Sequence, residues 1–65
     1  MVSDLDIYRS ANLLIREHGE DAKLEASLKA DKFLEKGELD GVAVWKKIIS
    51  AIEVLQNEND GETIH

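Results

Sequence analysis

The sequence predicts an all-α fold, a compact antiparallel three-helix bundle followed by a disordered acidic C-terminal tail. Three observations predict it. Proline is absent while Ala, Leu, Glu and Lys are abundant, a composition of strong helix formers. Apolar residues recur at three- and four-residue spacing in three successive segments. Each junction between segments carries a glycine, Gly19 or Gly37, where a left-handed residue at a helix C-terminus is wanted.

The first helix is expected over about residues 4–18. At about 100° per residue, Ile7, Tyr8, Ala11, Leu14, Ile15 and His18 fall on one stripe. Ser3 or Asp4 suits the cap, and acids in the first turn complement the helix dipole. The second helix is expected over about 21–36, with the carboxylates of Glu20 or Asp21 at its free N–H groups. Its stripe is Ala22, Ala26, Ala30 and Phe33 with Leu34 on the flank, and small residues at that spacing let a neighbouring helix approach closely. The third helix is expected over about 41–56. Asp40 reads as its N-cap, and Leu39 is placed to pack on Val44 as a hydrophobic staple. Val44, Trp45, Ile48, Ile49, Ile52 and Leu55 form the strongest apolar stripe. Residues 1–56 therefore read as one domain, and the polar, acidic 57–65 segment reads as a disordered tail.

Sixty-five residues permit a single domain, and a chain so short buries only about 60% of the surface its unfolded form exposes. With no cysteine there is neither a disulfide nor a thiolate to staple it, so helix packing or self-association must stabilise the fold. The net charge of −6 opposes binding to nucleic-acid phosphates and to anionic membrane surfaces. No apolar run is long enough to span a bilayer, and the opening MVSDLDIY is acidic where a signal or transit peptide is basic. A cytoplasmic protein is the expectation.

The segment REHGEDA sets His18 near Glu17, Glu20 and Asp21. Ligands on one helix face need i, i+3 or i, i+4 spacing. Gly19 breaks that face, so the histidine is expected to end one helix and the acids to begin the next. EKGELDG fails as a calcium loop: counted from Asp31, the third and sixth positions are Phe33 and Lys36, where a ligand and a glycine are required. A DNA-reading third helix would present polar side chains in its first turn, whereas this one begins GVAVW with only Lys46 and Lys47 as a basic pair. Ser3, Ser10, Ser27, Ser50 and Thr63 each lack a predictable base. No enzyme activity, cofactor or metal is expected.

What remains are apolar residues that the core does not need. Leu5 and Leu13 lie on the back of the first helix beside Arg9 and Arg16, and Leu24 and Leu28 point away from the alanine stripe of the second. These six residues are the candidate partner-binding set, with Leu13 as anchor and the arginines as rim. The partner expected is another protein, or a second copy in a homodimer. The alternative is an acidic regulator or phage-type inhibitor that offers Glu17, Glu20, Asp21 and Glu25 to a basic nucleic-acid-binding protein.

YRSANLLIREHGEDA and, further on, LDGVAVWKKIISAIEVLQ resemble a group of small uncharacterised bacterial all-helical proteins. The pattern is an ANLLI…HGEDA helix and turn followed by a DG.AVWK.I helix, here Ala11 to Ile15, His18 to Ala22 and Asp40 to Ile48. The resemblance covers about Ile7 to Gln56. It implies a bacterial, cytoplasmic setting and no assigned function.

Overall fold

A computed structural model of the chain describes the backbone of residues 3–64 and the side chains of residues 3–57. Among these residues every regular element is helical and no strand is present. Helix α1 spans Asp4–His18, a 3-10 turn spans Gly19–Asp21, α2 spans Ala22–Glu35 and α3 spans Leu39–Ile64. The count of three helices parted by two turns is therefore revised to two helical runs. The elements follow one another without a gap from Asp4 to Glu35, because the junction at Gly19 is itself a 3-10 turn, and residues 36–38 separate this run from the second.

Ser3 caps α1. Its backbone is extended (φ −82°, ψ 162°) and its Oγ accepts from the Asp6 N–H at 3.2 Å, satisfying one of the four N–H groups a helix start leaves free. The other end departs from expectation in a specific way. Gly19 has the positive φ of a left-handed residue, 57°, but ψ is −122°, whereas a left-handed cap has ψ near about +47°. These angles are those of the first central residue of a type II′ turn, a position that glycine fills. The chain reverses within one residue. The Ala22 N–H then donates to the Gly19 carbonyl, so the backbone supplies the start of α2. Asp21, expected as a side-chain cap, makes no such bond: at φ −86°, ψ 1° it lacks the extended geometry that a capping side chain needs.

The end of α2 is a Schellman motif. The Gly37 N–H donates to the Leu34 carbonyl at 3.0 Å and the Glu38 N–H to the Phe33 carbonyl at 2.9 Å, the paired bonds of that motif, with Gly37 at φ 73°. Helix α3 starts earlier than expected. The Val42 N–H donates to the Glu38 carbonyl, which places Glu38 in the cap position and Asp40 inside the first turn. Leu39 is 67% exposed, so the staple with Val44 is not formed. Helix α3 is continuous to Ile64, past the helix end expected near residue 56. Each further residue adds one backbone bond at little nucleation cost, and no proline interrupts the run. His65 lies outside the described residues.

The core is built on small side chains. Ile7 and Ala11 of α1, Ala22 and Ala26 of α2, and Ile48, Ala51 and Ile52 of α3 are buried, with Leu14, Ile15, Val44, Trp45, Ile49 and Leu55 packed around them. Each helix touches both others. Helices α2 and α3 run antiparallel, since Phe33 meets Gly41 at one end and Lys23 meets Glu53 at the other, 2.9 Å apart. The start of α1 lies over the middle of α3: Asp4, Ile7 and Tyr8 wall one hollow with Lys47, Ser50 and Ala51. The Gln56 amide donates to the Gly19 carbonyl at 3.3 Å. At 26 residues and about 1.5 Å per residue, α3 sets the long dimension of a body measuring 43 × 22 × 17 Å. Tyr8, His18 and Leu34, assigned to core-facing stripes from spacing, are exposed: Tyr8 and Leu34 sit at the margins of their stripes, and His18 is the last residue of α1.

Two predictions follow from the glycines. A Cβ on Gly41 would come within 2.7 Å of the Phe33 Cγ. Gly41→Ala should therefore lower the melting temperature despite alanine's better helix propensity, whereas in a Phe33→Ala background the same substitution should no longer lower it. At Gly19, Ala and Asn should each cost about 1 kcal/mol or more in chemical denaturation. At Gly37, Asn should be tolerated better than Ala, because only that site is a left-handed cap.

Candidate functional site

The six candidate residues form two outward faces on adjacent helices. On α1, Leu5, Arg9, Leu13 and Arg16 fall within an arc of about 80°, opposite the buried Ile7 and Ala11, and all four are exposed. On α2, Leu24 and Leu28 lie about 180° and 140° from the mean direction of the buried Ala22 and Ala26. Leu5, Leu13 and Leu24 are more than half exposed and Leu28 is 47% exposed. The structure does not gather the six into one pocket. It does bring the two helices together at Leu14 and Leu28, which line a shared hollow with His18, Glu25, Lys29 and Glu35.

Sequence reasoning missed two members of the α2 face. Asp31 and Glu35 share with Leu24 and Leu28 an arc of about 60°, and both are exposed. The signal was the three- and four-residue spacing of those acids from the leucines, the same spacing that identifies a helical face. The charged residues within the α1 arc are thus both cations, and those within the α2 arc are both anions.

His18 ends α1 and is exposed. Its Nδ1 lies 3.9 Å from Glu25 Oε1, too far for a hydrogen bond. Glu20 and Asp21 belong to the 3-10 turn. Glu17, Glu20 and Asp21 are exposed at this end of the hairpin, and Glu25 is half-buried beside the histidine. Among the described residues no polar or charged residue is buried, no group of three His, Asp or Glu could hold a metal, and no helix is long and apolar enough to cross a membrane. Searches of known protein families, curated proteins and solved structures find no match to this chain.

If the leucines serve contact rather than folding, their removal should leave the isolated chain stable. Leu13→Ser and Leu24→Ser should change its unfolding free energy by no more than about 0.5 kcal/mol, as exposed substitutions do. Ile52→Ala, at a fully buried position, should cost about 2–5 kcal/mol. Urea unfolding at low micromolar concentration measures both.

Proposed function

We propose that this is a small non-enzymatic helical protein of the bacterial cytoplasm that acts by contact with another protein or with a second copy of itself. The observation that carries the reading is the exposure of Leu5, Leu13, Leu24 and Leu28 on two helix faces that the core does not use. Single exposed leucines are ordinary. Two pairs on neighbouring helices, each flanked by exposed charged residues, have the make-up of an interface: apolar anchors within a charged rim. Arg9 and Arg16 supply the rim on α1. The bacterial setting rests on the sequence resemblance.

The test is a comparison of the wild type with Leu13→Glu and Leu28→Glu. Sedimentation at tens of micromolar reads self-association, and capture from bacterial cytosol reads other partners. Both substitutions should abolish whatever association the wild type shows while the helical circular dichroism stays unchanged. A wild type that neither associates nor captures a leucine-dependent partner overturns the reading.

A further inference from the structure

Helix α1 joins the rest of the chain only through the turn Gly19–Asp21. On either side of Gly19, His18 (φ −120°, ψ −10°) and Asp21 (φ −86°, ψ 1°) have negative φ with ψ near zero, a short rotation from α-helical angles. Gly19 alone departs, at φ 57° and ψ −122°. Bringing that one residue to helical angles carries α1 straight on into α2, a single helix from Asp4 to Glu35 about 48 Å long at about 1.5 Å per residue. Ile7 and Ala11 then lose the cover of their own α2 and α3. A second copy opened in the same way restores it. We propose that Gly19 is the hinge of a second folded state of this chain, a dimer in which α1 of each copy packs on α2 and α3 of the other.

Exchange repeats between copies the contacts that the monomer already makes, so the two states differ chiefly at the junction. A short junction held at unusual angles is where such exchange begins. Few bonds hold it closed. The Gly19 carbonyl accepts from the Ala22 N–H and from the Gln56 amide, and His18 stands 3.9 Å from Glu25, beyond hydrogen-bond reach. A straight helix replaces these bonds by pairing the N–H groups of residues 20–23 with the carbonyls of residues 16–19. Two terms oppose it. Glycine is unfavourable in a helix interior. Straightening also brings like charges to three- and four-residue spacing, Glu17 with Glu20 and Asp21, and Asp21 with Glu25. The opposite pairs that it forms are Arg16 with Glu20, Glu20 with Lys23, and His18 with Asp21 when the imidazole is protonated. Glycine therefore favours the monomer twice, by accepting the positive φ of the turn and by weakening the straight helix. Alanine reverses both. The leucine faces play no part, so this inference and the contact reading fail separately.

The experiment is sedimentation equilibrium on the full-length Gly19→Ala chain from 10 to 100 µM, with circular dichroism as the check on folding. The variant should be a helical dimer whose dissociation constant lies about a hundredfold or more below that of the wild type. Adding Glu20→Pro should remove the dimer, because proline breaks a helix interior. Glu20→Pro alone should leave a folded monomer, since Glu20 holds the second central place of the turn, where φ is near −80° and proline fits. Leu13→Glu, on the face opposite Ile7 and Ala11, should leave the Gly19→Ala dimer intact. A Gly19→Ala chain that is helical and monomeric at 100 µM overturns the inference. One that is unfolded overturns it too, since exchange would have restored the fold. A Gly19→Ala dimer that Leu13→Glu splits, or that survives Glu20→Pro, is a contact between closed copies; it overturns the exchange while the contact reading stands.

Discussion

The close approach of helices over alanine is the constraint on which the rest of the structure depends. Four of the seven buried residues are Ala11, Ala22, Ala26 and Ala51. Such side chains lose no rotamer entropy on burial, but they also fill little space, so the helix axes must come near each other to leave no void. A helix drawn in on Ala22 and Ala26 has no interior room for Leu24 and Leu28 on its other side. The exposed leucines are thus the counterpart of the alanine core. The same closeness makes Gly41 necessary, since the Phe33 ring occupies the space a side chain there would fill.

The two glycine junctions serve this geometry differently. Gly37 closes α2 with paired backbone bonds, and three residues separate α2 from α3. Gly19 allows no such interval. Its φ and ψ turn the chain at once into a 3-10 turn, which brings His18 beside Glu25 and sets the angle at which α1 meets α2. The Gln56 side chain then satisfies the Gly19 carbonyl, tying the turn to α3. What looks in sequence like a histidine among acids is the place where the hairpin is closed.

The all-α class was legible because composition and apolar spacing both point to helix, and neither depends on tertiary contacts. Less could be read where a local rule competes with backbone geometry. Asp21 and Asp40 have the side chain of an N-cap, but in each case a backbone bond already supplies the helix start, Ala22 to Gly19 and Val42 to Glu38. Leu39 was assigned a staple on spacing from Val44, which fails once the helix begins at Leu39 itself. Tyr8 and Leu34 sit at the edge of a stripe, where the spacing alone does not distinguish burial from exposure. At the site, Leu5, Arg9, Leu13 and Arg16 could be placed on one face by counting. The α2 face was read only through its leucines, because Asp31 entered only as the start of a calcium loop that fails, and not as a neighbour of Leu24 and Leu28.

Stability and association are coupled in a chain of this kind. A 65-residue domain without cysteines has a small margin between burial and chain entropy, and a core of alanines narrows it further, since each buries less apolar surface than a larger aliphatic would. Anything that binds the folded chain in preference to the unfolded one adds to that margin by mass action. The leucines excluded from the core by close packing are therefore not lost to folding. Under the contact reading they are covered by a partner's surface. The alanine stripe that denies the leucines a place inside the monomer is, in this view, also what leaves them available between two chains.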